Sequence, residues 1–115
     1  MPQKKRDVGV AERFGQNLRR ERRRGGLTQE ELAHRASLHR TEVGRLETGE
    51  RVPRIDTLIR LADSAATTPE ALLDGIQWVP ALPAPEVLGA FSFSSWPHRV
   101  SRVSNDESKQ AREDN

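Results

Sequence analysis

The chain has 115 residues, of which 31 % are charged, 34 % apolar and only 4 % aromatic; this balance excludes an evenly filled core and predicts one small compact domain with a poorly packed remainder. No apolar run approaches the roughly 18 residues of a membrane-spanning helix, the basic opening MPQKKRDVGVAERF lacks the apolar stretch of a secretory signal, and the absence of cysteine removes disulfide frameworks, thiolate zinc sites and cysteine nucleophiles. The formal net charge of +2 hides a segregation, with fourteen Lys and Arg against eight Asp and Glu in residues 1–54 and five against nine in residues 55–115. A basic half suits nucleic acid or another anionic surface, although a solvated, arginine-rich face gives the same count. A cytoplasmic protein with no membrane partner is expected.

Residues 1–9 read as a flexible basic arm. From Val10 to Arg24 the apolar residues Val10, Phe14 and Leu18 recur every four positions, one stripe of an amphipathic helix, with Arg13, Arg19, Arg20 and Arg23 on the opposite face. Gly25 and Gly26 stop it. Thr28-Gln29-Glu30-Glu31 is a capping-box sequence, in which threonine and glutamate each bond the other's backbone amide. It opens a short helix that buries Leu32, Ala33 and Ala36. Ser37-Leu38-His39 is too short a connection for a chain reversal, so the next helix leaves at a steep angle. That helix spans 40–48, with Val43 and Leu46 inward and Gly49 as its stop. A fourth helix starts near Ile55, with Ile55, Leu58, Leu61, Ala62 and Ala65 inward. A fifth starts at Thr68-Pro69 and continues through Ala71, Leu72 and Leu73 to Gly75.

Beyond Gly75 the pattern changes. Ile76–Val79 is β-prone, Pro80, Pro83 and Pro85 interrupt the next stretch, and Leu88–Phe93 alternates weakly. Residues 76–103 read as a Pro-rich extension with short strands that could pair as a β-hairpin, and residues 104–115, which lack any large apolar residue, as a disordered tail. Strands this short must bury Trp78, Phe91 and Phe93 against the helical domain or against another chain. These three are the candidate dimer or partner contacts. The fold class is all-α, five helices spanning residues 10–75 followed by this extension.

The string Leu27–Pro53, LTQEELAHRASLHRTEVGRLETGERVP, resembles the phage-repressor/Cro-type, or XRE, helix-turn-helix family. Gly26-Leu27-Thr28-Gln29-Glu30-Glu31-Leu32-Ala33, Leu38, Val43, Arg45-Leu46-Glu47, Gly49 and Pro53 match its pattern, and the likeness covers about two-thirds of the chain, residues 10–75. The resemblance implies a lambda-repressor-like DNA-binding domain in which one helix enters the major groove while a second braces it across the backbone. Small and branched residues, Ala33 and Val43, let two short helices cross closely.

The resemblance also assigns roles. Arg40, Thr41 and Arg45 fall on the family's base-reading positions, and each arginine could take a guanine edge. Glu42 could accept from cytosine or merely support Arg45. Gln29 at the start of the second helix is implied to bind a phosphate, grouped with Thr28, His39 and Arg22 as backbone contacts. Arg51 and Arg54, in the loop after the third helix, would contact phosphates without reading sequence. Arg22 is further implied to pair with Glu47, structurally first. Against Arg40 and Arg45 stands the plainer reading of a solvated helix face, and against Gln29 that of an exposed first-turn glutamine.

Three departures from the family pattern stand out. Ser37 replaces the usual turn glycine, His39 replaces a Ser or Thr cap, which predicts a weaker cap, and Gly44 lies inside the third helix. Gly44 either admits a close backbone approach or is a tolerated weakness of about 0.5–1 kcal/mol. His34, His39 and His98 lack metal-ligand spacing, and no nucleophile–base arrangement is present, so neither cofactor nor metal nor enzyme activity is expected. The expected function is transcriptional regulation, most simply repression, by a homodimer on double-stranded DNA. The alternative is an antitoxin-like or accessory module that binds a protein partner through residues 76–103.

Overall fold

The computed structural model describes residues 9–83 and 88–94; the expected arm up to residue 8, the later part of the extension and the 104–115 tail lie outside the described residues. Five helices run in chain order: α1 Val10–Arg24, α2 Gln29–Ala36, α3 Arg40–Glu47, α4 Ile55–Ser64 and α5 Pro69–Leu72. Two strands complete the order, β1 Ile76–Val79 and β2 Ala90–Phe93.

Each helix begins and ends for a local reason. The Glu12 carboxylate accepts the Gly9 amide at 3.0 Å at the head of α1, which satisfies one of the donors a helix start leaves open. At α2 the expected capping box is complete: the Glu31 amide donates to Thr28 Oγ1 at 3.0 Å, and the Thr28 amide donates to Glu31 Oε1 at 2.9 Å. Ser37 closes α2 in the left-handed region, φ 57° and ψ 46°, where glycine is the easier residue. There its amide and that of Leu38 turn back onto the Ala33 carbonyl. His39 does cap α3, its Nδ1 accepting the Thr41 amide at 3.1 Å. That helix ends one residue before the expected Thr48, which serves as its C-cap. Thr68 caps α5 as predicted, Oγ1 accepting the Ala71 amide at 3.0 Å.

The core is built from Phe14 and Leu18 of α1, Leu32, Ala33 and Ala36 of α2, Val43 and Leu46 of α3, and Leu58, Leu61 and Ala62 of α4, closed by Ala65 and Leu72. α1 packs across α3 and α5, and α2 packs against α3 and α4. The helical core periodicity holds with corrections: Val10, first of the expected α1 stripe, is only half-buried and stands outside the core cluster, and α5 ends at Leu72, short of the expected Leu73, which is exposed. Ile55 is not inward but 72 % exposed. It projects from the first turn of α4, where Arg51, Val52, Arg54 and Asp56 are themselves exposed and nothing covers it. Thr57 is buried instead. Arg13 and Arg20 do not belong to a solvated face either. Arg13 is buried, with Nη2 donating to the Ser94 carbonyl at 2.6 Å. Arg20 is half-buried, bonding the Ala71 carbonyl at 3.0 Å and approaching Asp74 within 3.5 Å. Between them the fully buried Asn17 donates from Nδ2 to the carbonyls of Leu72 and Asp74, both at 3.0 Å. One face of α1 thus receives the end of α5 and the base of the hairpin through polar groups, a use invisible to apolar periodicity.

The strands pair antiparallel, Ile76 with Phe93 and Trp78 with Phe91. Alternation puts these four residues on one face. Ile76 rests on the core, and the expected burial of Trp78 and Phe91 is not met, since they are 56 % and 52 % exposed. The hairpin base meets the helical domain through Ile76 on the core and through the Arg13 bond to the Ser94 carbonyl. Toward the tip the two rings pack on each other, centroids 5.0 Å apart and edge-to-face. Phe93, near the base, is half-buried.

Candidate nucleic-acid interface

α3 is divided cleanly between inside and outside. Val43, Leu46 and Glu47 are buried, while Arg40, Thr41, Arg45 and Thr48 are exposed and Glu42 and Gly44 are half-covered. A short helix with two aliphatic anchors on one side can present only its other side, so the three candidate base-reading residues Arg40, Thr41 and Arg45 share the outer surface. Glu42 makes no ion pair with Arg45 among the described residues. Arg45 instead leans toward Glu50, Nε to Oε1 at 4.0 Å, an exposed and therefore weak contact. Its side chain is 49 % exposed, free to leave for a stronger partner.

Besides the buried Val43 and Leu46, a charged knot holds α3 at its C-terminal end. The expected Arg22–Glu47 pair is present and two-pronged: Arg22 Nε donates to Glu47 Oε2 at 2.5 Å and Nη2 donates to Oε1 at 3.1 Å. Arg22 Nη1 also donates to the Leu27 carbonyl at 2.8 Å, fixing the turn that leads into α2. Two further groups reach the same Glu47 oxygen, Gln29 Nε2 at 3.0 Å and Arg19 Nε at 3.3 Å. Burial by itself raises the pKa of the Glu47 carboxyl. Hydrogen bonds from Arg22 and Gln29, the Arg22 charge and the bond from Arg19 outweigh that, so the carboxyl is held below its ordinary value. Glu47 thereby ties α1, α2 and α3 together from a side chain with no solvent exposure.

The candidate backbone contacts fall into distinct environments. Thr28 and His39 are exposed at the heads of α2 and α3, each already capping its helix. Gln29 is half-buried with its amide nitrogen on Glu47, which orients the side chain at the start of α2. Arg51 and Arg54 are exposed, Arg54 beside Asp56 at 3.3 Å. Arg22 is buried. The Gln29 and Arg19 bonds to Glu47 escape a reading of the sequence, because nothing in residue spacing says which donors converge on one carboxylate. Among the described residues there is no group of three His, Cys, Asp or Glu side chains able to hold a metal ion, and no helix long and apolar enough to cross a membrane.

Two short helices packed on each other and joined by a three-residue turn, the first capped at its amino end and the second anchored from behind, define a DNA-binding helix-turn-helix protein of the transcriptional-regulator class. The chain belongs to the helix-turn-helix domain family, whose sequence pattern matches residues 13–74. It is 39 % identical over 66 residues to the control protein C.SmaI of Serratia marcescens, covering 57 % of this chain and 79 % of that one. Among solved structures it is similar to the restriction-modification controller protein C.AhdI of Aeromonas hydrophila, at 37 % identity and a TM-score of 0.52, covering 54 % of this chain and 94 % of that one. It is also similar to the hypothetical transcription factor NHTF of Neisseria, at 26 % identity and a TM-score of 0.55, covering 64 % and 85 % of the two chains. The XRE-type resemblance read from Leu27–Pro53 and the all-α fold class both hold.

Proposed function

We propose that this protein binds double-stranded DNA sequence-specifically as a homodimer, with α3 in the major groove, and represses transcription by occupying a promoter. Its place of action is the cytoplasm, on nucleoid DNA. The observation that carries the reading is the exposed Arg40–Thr41–Arg45 face on a helix braced from behind by Arg22, Gln29 and Glu47. A base-reading helix must hold its register against the groove, and a buried, multiply bonded carboxylate at its end supplies that stiffness. One eight-residue helix reads only a few base pairs, so two copies on half-sites one helical turn apart supply the remaining affinity. The likeness to two control proteins, C.SmaI and C.AhdI, supports the promoters of restriction-modification genes as the targets.

The test is selection of duplexes from a randomised library, then binding measurements on the selected and on random-sequence DNA. The selected sequence is expected to contain two related half-sites, and Arg40→Ala and Arg45→Ala are each expected to lose about 1–3 kcal/mol per half-site on it with little change on random DNA. Equal losses on both DNAs would demote the two arginines to backbone contacts. The exposed Trp78–Phe91 pair supports a second reading, an accessory module that binds a protein partner through residues 76–103. Partner binding that survives both arginine changes and is lost in Trp78→Ala would favour it.

A further inference from the structure

Arg22 and Arg19 approach Glu47 from the same helix, one turn apart, yet they are in opposite states. All three guanidinium nitrogens of Arg22 donate to protein oxygens, and its side chain is 10 % exposed. Such an arginine is a strut. Arg19 is 43 % exposed and bonds Glu47 through Nε alone at 3.3 Å. Its two terminal nitrogens have no hydrogen-bond partner among the described residues, so the fork that grips oxyanions faces outward from a fixed stem. Since Arg22 already matches the Glu47 charge, Arg19 brings positive charge in excess. Arg23, four residues further along α1, is exposed and makes no ion pair among the described residues. With Gln16, Arg20 and Glu47 these two arginines line an open concavity of about 440 Å³. It adjoins the knot that holds Gln29, the residue at the start of α2 and the candidate phosphate contact.

We propose that Arg19 and Arg23, and not Arg22, are the residues by which α1 grips the DNA backbone, seating a phosphate group beside the amino end of α2. This assignment rests on the DNA-binding reading above and extends the backbone contact from the loop and α2 onto α1. A guanidinium anchored at Nε by a carboxylate loses little further freedom when its Nη groups take a phosphate oxygen. Contacts of this kind carry no sequence information; they raise affinity on every duplex and steepen its salt dependence.

The experiment uses the full chain and a random-sequence duplex, with the dissociation constant measured between roughly 50 and 200 mM salt. Arg19→Gln keeps a donor for Glu47 while removing the charge, and Arg19→Lys restores the charge. For Arg19→Gln and for Arg23→Ala the slope of log K against log salt is expected to shrink by roughly 0.9 for each protomer on the duplex, roughly 1.8 for the homodimer, with thermal stability unchanged and the ratio of selected to random binding preserved. Arg19→Lys recovers the slope, Arg60→Ala on α4 leaves it as in the wild type, and Arg22→Ala lowers the melting temperature. An unchanged slope in Arg19→Gln overturns the proposal, as does a fall in melting temperature matching that of Arg22→Ala with no slope change. If those results accompany lost discrimination in Arg40→Ala and Arg45→Ala, only the α1 assignment fails. A wild-type chain that binds no duplex overturns both readings.

Discussion

Arg22 and Glu47 meet through two parallel hydrogen bonds, Nε to Oε2 and Nη2 to Oε1, across 25 residues of sequence and between the helix that opens the domain and the one that carries its outward face. This is the strong form of an ion pair, planar and charge-assisted. Here it is buried, so it matters less for net stability than for the charge left stranded when one partner is removed. Replacing Arg22 by alanine would leave a fully covered carboxylate with only its weaker donors, at a cost of about 3–5 kcal/mol. Replacing both partners by apolar residues would be far milder, and a double-mutant cycle in chemical denaturation separates the two cases.

Acid should loosen the same knot. Because the Glu47 carboxyl is held below its ordinary value of 4.5, folding keeps it ionised in a range where the unfolded chain takes up a proton. Its contribution to stability is therefore complete above pH 4.5 and is lost as the pH falls through the depressed folded value. Glu47→Gln lacks this contribution at every pH. The stability gap between wild type and Glu47→Gln should be widest near neutrality and narrow steadily below pH 4.5, as read by denaturant unfolding at a series of pH values. A gap that stays constant into the acid range would show that the carboxylate charge is not what Arg22, Gln29 and Arg19 respond to.

The attachment of the hairpin makes a separate prediction. Arg13 is buried under the strand ends and donates to the Ser94 carbonyl, while Asn17 holds the carbonyls just before β1. Arg13→Ala should cost about 1–3 kcal/mol, the range for stranding a buried polar group. The loss should be local, because Ile76 is the one strand residue that rests on the core among the described residues. Hydrogen exchange is expected to show faster exchange of the paired amides in 76–79 and 90–93, with α2 and α3 still protected. Uniform loss of protection across all helices would mean that the hairpin belongs to the core rather than leaning on it.

The sequence is most legible where structure is local. Caps and stops at Thr28, His39, Gly49 and Thr68 can be read directly, since each acts through its own neighbours in the chain. The inward residues of α2 and α3 are also legible, because two or three aliphatics at helical spacing admit one buried side. The misreadings share a cause, which is that exposure depends on what another element covers. Ile55 fits the α4 stripe by angle but has no neighbour above it. Arg13 looks like a solvent residue until the strand end at Ser94 lies over it. Trp78 and Phe91 invite an expectation of burial because they are aromatic, yet they cover mainly each other. At the interface, the Arg22–Glu47 pair comes from the family resemblance. The convergence of Gln29 and Arg19 on that carboxylate requires the three-dimensional crossing of α1, α2 and α3.

That crossing rests on a glycine, and two glycines in this domain should answer the same substitution with opposite signs. Gly15 of α1 lies against the end of α3, where an added methyl carbon would come within 2.5 Å of the carbonyl oxygens of both Leu46 and Glu47. Those are backbone atoms of a packed helix and cannot swing aside, so Gly15→Ala must push α3 outward. Overpacking of this kind costs about 1–3 kcal/mol, and the displacement falls on the residue that ties α3 to Arg22. A weaker hold on selected DNA should accompany the lower stability. Gly44, inside α3, is different: the nearest atom to an added methyl is Gln29 Oε1 at 3.9 Å, an ordinary contact. Gly44→Ala removes backbone freedom from the unfolded chain without a clash and should stabilise the domain by about 0.5–1 kcal/mol. Urea unfolding of the two variants beside the wild type decides the matter. Stabilisation by Gly44→Ala together with weaker binding to every duplex would mean that the space at Gly44 is kept open for the DNA backbone, whereas stabilisation with unchanged binding marks a tolerated weakness. Two variants that shift stability in the same direction would contradict the packing of α1 against α3.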